Sequence, residues 1–149
     1  MRHALILVVD DDETIREALY EFLSEEYVCR TAETAEEAFT RLEADTYDLV
    51  LTDISMPGLS GLELLGHSRQ KYPDTPVIII SGIADKAHAE GLIKIGAFDY
   101  LLKPFRLETV GESVKQALNY RRHLVESRAK SDPDKEDDIG NAWKILKET

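Results

Sequence analysis

Apolar and polar positions alternate along this chain in blocks, and the period changes from block to block. Residues 4–9, ALILVV, are an unbroken apolar run, the pattern of a strand buried on both faces. Residues 13–26 switch to helical spacing: Ile15, Leu19 and Phe22 recur on one face with Ala18 and Leu23 beside them, and Asp12 or Thr14 can cap or open the helix. A less apolar strand follows at 27–32 (YVCRTA), then a helix at 34–45 with Ala35, Ala38, Phe39 and Leu42 on one side. The third strand, DLVLT, ends at Asp53. The loop ISMPGLSG is punctuated by Pro57, Gly58 and Gly61, and the third helix, 62–72, is closed by Pro73. PVIIIS, 76–81, is the most apolar strand, and a helix at 85–95 follows with Gly91 inside it, at a cost of about 1 kcal/mol against Ala. DYLL, 99–102, is a short fifth strand. The last helix starts near Arg106, with Leu107, Val110, Val114, Ala117 and Leu118 on one face, and Leu124 and Val125 carry its stripe beyond what a sheet needs.

Five strands alternating with five helices predict an α/β fold: a five-stranded parallel sheet, doubly wound, with right-handed crossovers and an extended C-terminal helix. Residues 1–122 make the compact unit. Residues 123–149 comprise the rest of the last helix, an acidic linker (SDPDKEDD, with Pro133) and a short tail. In that tail Ile139, Ala142, Trp143 and Leu146 have helical spacing, in a segment too short to be a stable helix alone.

Composition narrows the function classes. The chain has 149 residues, 43% of them hydrophobic, and a formal net charge of -11. Affinity for nucleic-acid phosphates comes from basic patches, so direct nucleic-acid binding is not expected, nor is an anionic membrane surface as partner. The one basic cluster, Arg121, Arg122 and His123, is too small to change this. The lone cysteine, Cys29, allows no internal disulfide and reads as a small buried or half-buried filler. No run approaches the roughly 18 apolar residues that span a bilayer, and the N-terminal run ends in acids instead of a cleavage site. The expectation is a soluble, cytoplasmic protein.

In a parallel sheet of this kind the functional crevice lies at the carboxyl ends of the strands. Those ends carry Asp10, Asp11 and Asp12 after strand one, Asp53 after strand three, Ser81 after strand four and Lys103 after strand five. Carboxylates packed together need a counter-charge, and a hard cation with oxygen ligands supplies it; Mg²⁺ is suited to one or two carboxylates plus phosphate oxygens. A cation, an ammonium and a hydroxyl around a carboxylate suit phosphoryl transfer, in which aspartate can itself be the nucleophile. Asp12 is assigned to capping or solvent. The histidines (His3, His67, His88 and His123) have no mutual metal-site spacing and are expected at solvated surface positions.

VVDDD, LTDISMPGLSG, IIISG and GAFDYLLKPF, in this order, resemble the four signature segments of response-regulator receiver domains of two-component signalling, over residues 4 to about 122. The resemblance implies a flavodoxin-like, chemotaxis-regulator-like fold with strand order 2-1-3-4-5. It implies a phosphoacceptor role for Asp53, which would take a phosphoryl group from the phosphohistidine of a sensor histidine kinase or phosphotransfer protein. It further implies Mg²⁺ held by Asp11 directly, by Asp10 mainly through water, by Asp53 and by the backbone carbonyl of Ser55. Lys103 would pair with the acceptor and then with the phosphoryl oxygens, Ser81 would be the switch hydroxyl and Tyr100 the switch aromatic, and the Lys103–Pro104 bond would be cis. Ser55 and Ile83 would lie where side chains tune the access of water to an aspartyl phosphate. The chain would be a phosphoacceptor switch and not an enzyme beyond self-phosphorylation from small donors and slow autodephosphorylation. It would repack its helix 4–strand 5–helix 5 face, a possible homodimer surface. Its output would be an unknown partner or a missing output domain. The overlong last helix suits a piece of a longer protein, and the acidic Trp-bearing tail suits a stand-alone receiver.

One rival shares the opening stretch. Asp10 to Thr14 is D-x-D-x-T, which after an apolar strand resembles the nucleophile motif of haloacid-dehalogenase-type phosphohydrolases, with Asp10 as nucleophile, Asp12 as general acid and Ser81 and Lys103 as later motifs. Order opposes it. That family needs a further acidic motif at a strand end after the lysine, and here Asp53 precedes Ser81. A third class, a receiver-like interaction module, usually lacks a key acid or the lysine, and this chain has all of them.

Overall fold

The computed structural model describes residues 3–56, 58 and 60–129. Pro57 and the acidic linker and Trp143 segment of 130–149 lie outside the described residues.

Five strands and five helices alternate: β1 (Leu5–Val9), α1 (Glu13–Leu23), β2 (Val28–Ala32), α2 (Ala35–Ala44), β3 (Leu49–Asp53), α3 (Gly61–Lys71), β4 (Val77–Ser81), α4 (Lys86–Ile95), β5 (Asp99–Leu102) and α5 (Leu107–Ala129). All strand pairs are parallel, in the order β2-β1-β3-β4-β5. This is the flavodoxin-like arrangement, and the chain reverses direction across the sheet between β1 and β3, the switch point at whose carboxyl edge such sheets bind their ligands.

The continuous apolar runs are explained by two cores. Leu7, Val9, Val50, Val77 and Ile79 face one way, under Ala38 and Leu42 of α2 and Leu64 and Leu65 of α3. Ile6, Val8, Leu49, Leu51, Ile78 and Ile80 face the other, under Leu19 and Leu23 of α1 and Val110, Val114 and Ala117 of α5. The flanking strands are amphipathic; in β2 Val28 is exposed and Cys29 buried. Burial pushes the Cys29 thiol up to about 12.

Short polar side chains start the helices. Asp12, not Thr14, is the cap of α1: its carboxylate accepts from the N–H groups of Thr14 and Ile15 at 2.9 and 3.3 Å. Thr34 caps α2 and Ser60 caps α3. The helix expected to reach residue 26 stops at Leu23, and residues 24–26 form a turn in which the N–H groups of Glu26 and Tyr27 both return to the Leu23 carbonyl, at 3.2 and 2.9 Å, before β2 begins.

At 23 residues α5 is about 34 Å long, against about 17 Å for a five-residue strand, so it overhangs the sheet. Past the last buried alanine its inner stripe becomes charged. Arg121 donates to the Asp48 carboxylate at 2.8 Å and to the Asp74 carbonyl at 2.9 Å, and Arg128 pairs with the Asp74 carboxylate. Asp48 also takes the N–H of Leu5 at 2.7 Å. These clasps seat the overhang on the amino-terminal edge of the sheet.

Two of the histidines depart from their expected solvation. His67 is half-buried against Phe39, with ring centroids 4.5 Å apart, and His88 is half-buried edge-on to Tyr100 at 5.9 Å. Both follow helix-face geometry: each lies on the side of its helix that meets a neighbouring aromatic. No described helix is long and apolar enough to cross a membrane.

Candidate functional site

The hydrogen-bonded ladder of the sheet carries the predicted residues to one edge. Asp10 follows β1 directly and its N–H reaches the Ala32 carbonyl at the end of β2 (3.2 Å). Asp53 ends β3 in register with Ile80, one residue before Ser81 at the end of β4. Lys103 follows β5, and its N–H donates to the Ser81 carbonyl at 2.7 Å. The peptide bond from Lys103 to Pro104 is cis.

Lys103 closes the constellation. Its Nζ lies 3.2 Å from Asp10 Oδ2 and 3.4 Å from Asp53 Oδ2. Asp10 and Asp53 are 1% and 5% exposed, so both charges sit where water screens them little. Asp10 Oδ1 accepts the Asp12 N–H at 2.9 Å, and Asp53 Oδ1 accepts the Ser55 N–H at 3.4 Å. Burial, and then the Asp10 carboxylate, hold the Asp53 carboxyl above its ordinary value, against the opposing pull of Lys103 and the Ser55 N–H. Burial presses the Lys103 ammonium down, but Asp10 and Asp53 together outweigh it and raise it.

Asp11 is exposed, and one of its carboxylate oxygens lies with one each from Asp10 and Asp53 inside a 4.8 Å span. Three carboxylates against one ammonium leave an excess of negative charge that a cation relieves. The donors are all hard oxygens, the kind that Mg²⁺ takes, and it needs only one or two carboxylates from a protein. The residues fit that ion.

Ser81 is fully buried and its hydroxyl accepts the Ile83 N–H at 3.0 Å. The half-buried Tyr100 donates its phenolic O–H to the carbonyl of the same Ile83. Ser81 and Tyr100 are thus joined through one residue's peptide groups, a link that no spacing in the sequence announces. Ile83 itself is 44% exposed.

Two further residues shape the site without having stood out in the sequence. Gly61 begins α3 so close to the end of β3 that a Cβ there would sit 2.1 Å from the Asp53 carbonyl oxygen. Its sequence signal was a turn residue, and the actual demand is space. Arg16 of α1 reaches back to the Asp10 carbonyl, Nη1 to O at 2.9 Å, and pairs with Glu33 at 3.3 Å. The available signal was a cation beside Ile15 on the apolar side of α1.

The sequence model of the response regulator receiver domain matches residues 6–115. The DNA-binding transcriptional regulator NtrC of Salmonella typhimurium is 36% identical over 129 residues, covering 86% of this chain and 28% of the relative; the chain thus spans little more than a quarter of that protein's length. The crystal structure of a response regulator receiver domain protein from Clostridium thermocellum is 32% identical, with a TM-score of 0.76 over 81% of this chain and 98% of that one. The response regulator TrrA of Thermotoga maritima, solved in complex with Mg²⁺-BeF, is 42% identical, with a TM-score of 0.69 over 76% of this chain and 98% of that one.

Proposed function

The chain belongs to the response regulator receiver family, and on that premise we propose that it is a phosphorylation-activated switch with Asp53 as the acceptor. The observation that carries the reading is Lys103 Nζ bridging Asp10 and Asp53, beside a third carboxylate, at the carboxyl edge of the sheet. A carboxylate oxygen of Asp53 attacks the phosphorus of a phosphohistidine on a sensor histidine kinase or phosphotransfer protein. The new O–P bond forms as the N–P bond breaks, and the histidine nitrogen keeps the electron pair. Asp10, Asp11, Asp53 and the Ser55 carbonyl would hold Mg²⁺, which when bound neutralises charge on the phosphoryl oxygens. Lys103 moves its ammonium from the acceptor carboxylate to those oxygens, an electrostatic role that suits its raised basicity.

The output follows from the Ile83 link. A phosphoryl group on Asp53 offers the Ser81 hydroxyl a stronger, charged acceptor. Turning toward it, Ser81 releases the Ile83 N–H, the loop shifts, and the Ile83 carbonyl that holds the Tyr100 hydroxyl shifts with it. The aromatic ring then turns inward and the α4–β5–α5 face repacks. Ile93, Ile95 and Leu102 are exposed on that face, as a surface for an output partner, an output domain or a second copy requires. Residues 1–122 are the receiver unit in this reading and 123–149 its extension, working in the cytoplasm.

The haloacid-dehalogenase reading has no support in the family match, and among the described residues no strand follows β5 to carry its last acidic motif. Labelling with a small phosphodonor and Mg²⁺ separates the two. Asp53→Asn loses stable label if Asp53 is the acceptor; label that survives Asp53→Asn and vanishes in Asp10→Asn refutes the proposal.

A further inference from the structure

Arg16 has no part in the chemistry above, yet its side chain is only 12% exposed and both arms of its guanidinium are engaged. One arm donates to the Asp10 carbonyl and the other pairs with Glu33, which follows β2. The Asp10 carbonyl belongs to the peptide unit that joins Asp10 to Asp11. A peptide unit is planar, so a hold on its oxygen also fixes the nitrogen of Asp11 and the direction in which Asp11 leaves. Asp10 is secured independently, by the Ala32 carbonyl, the Asp12 N–H and Lys103. Asp11 is exposed, and its carboxylate nevertheless falls within 4.8 Å of the other two.

We infer that Arg16 is a positioning residue: its guanidinium, braced by Glu33, sets the Asp10–Asp11 peptide so that the Asp11 carboxylate converges with Asp10 and Asp53 on a divalent cation. The inference rests on the reading of these three acids as the Mg²⁺ site. Arginine suits the task because its rigid, planar fork holds two acceptors at once, which a lysine ammonium on a flexible stem does not.

The sign of the effect separates positioning from other roles. A cation near a metal site repels the metal, so a bystander arginine, once neutralised, leaves Mg²⁺ bound more tightly. A mere tether of α1, once cut, lowers stability and leaves Mg²⁺ affinity unchanged. A positioning residue weakens Mg²⁺ binding when removed, although a repelling charge has gone. Removing hydrogen-bond partners that orient metal ligands costs about 10–100-fold in affinity.

The experiment is calorimetric titration of the full chain with Mg²⁺ alone, beside thermal melts without Mg²⁺. Arg16→Met keeps the buried stem and is expected to raise the Mg²⁺ Kd about tenfold; Arg16→Gln, too short to reach the Asp10 carbonyl, gives the same comparison should the Met variant not fold. On an Asp11→Asn background, Arg16→Met should have little further effect, because the ligand it positions is gone. An unchanged or lower Kd in Arg16→Met, or the full loss repeated on the Asp11→Asn background, overturns the inference. Wild type that binds no Mg²⁺ overturns the site assignment itself and the inference with it, whereas binding in wild type and equally in Arg16→Met overturns the inference alone.

Discussion

Gly61→Ala sets two physical effects against each other at one methyl group. Gly61 is the first residue of α3, and alanine is the better helix former by about 1 kcal/mol in a helix interior, so propensity alone predicts a more stable protein. Packing predicts the reverse. The added Cβ would lie 2.1 Å from the Asp53 carbonyl oxygen and 2.8 Å from the Ile54 Cα. Both are backbone atoms of β3 and its exit, and neither can swing aside as a flexible side chain can. Relief requires α3 to retreat by about 1 Å from a close-packed interior, where overpacking costs about 1–3 kcal/mol. The upper end applies because backbone must move, and the propensity gain subtracts up to about 1 kcal/mol. The expected net loss is about 2 kcal/mol, or a fall in Tm of about 4–8 °C for a domain of this size. Gly66 is the internal control: it is exposed on the same helix, and nothing lies within 4 Å of its virtual Cβ. Urea melts of wild type, Gly61→Ala and Gly66→Ala measure both terms, and Gly66→Ala should be as stable as wild type or more so. A Gly61→Ala protein as stable as wild type would refute the claim that close approach to Asp53 is what demands glycine.

Asp48→Ala leaves Arg121 without its carboxylate and the Leu5 N–H without its acceptor; stability should drop by about 3 kcal/mol, the low end for a broken buried pair because water still reaches both partners, and a loss below about 1 kcal/mol in urea melts contradicts the clasp. Asp53→Asn should stabilise the Mg²⁺-free protein at neutral pH. The raised Asp53 pKa means that its contribution to stability is present below the ordinary value of about 3.9 and lost as pH rises through the raised one, so the advantage of the variant over wild type must shrink on acidification and be gone below about pH 3.9. Melts that show no pH dependence of that difference refute the assignment. Cys29, with its thiol pushed up to about 12, should react with a thiol reagent at about pH 8 only as fast as the fold opens, and at once in urea; prompt reaction in the native state contradicts its burial. If the exposed Ile83 side chain shields an aspartyl phosphate from water, Ile83→Glu should speed its hydrolysis, and equal autodephosphorylation rates dismiss that role.

The elements were legible because each carries a periodicity of its own. The runs at Ile6–Val9 and Val77–Ile80 have no polar break, and a strand covered by two cores needs none. The acids, the serine and the lysine were legible because strand ends are where a parallel sheet exposes chemistry. What escaped depends on contacts between distant segments. His88 reads as a polar residue on an exposed helix until Tyr100, twelve residues on, is found against its ring. Arg121 reads as part of a small basic cluster, but its guanidinium is held by Asp48 and the Asp74 carbonyl, far away in the chain. The Ile83 bridge between Ser81 and Tyr100 is made by backbone atoms, which every residue has, so no residue type marks it.

In the proposed switch Asp53, and neither acid of the Asp10–Asp11 pair, carries the phosphoryl group. Borohydride reduces an acyl phosphate to an alcohol and so converts a phosphorylated aspartate irreversibly to homoserine. The measurement is peptide mass spectrometry of the full chain after incubation with a small phosphodonor and Mg²⁺, then borohydride. Homoserine is expected at position 53 with Asp10 and Asp11 intact; homoserine at position 10 or 11 instead would show that Asp53 is not the acceptor.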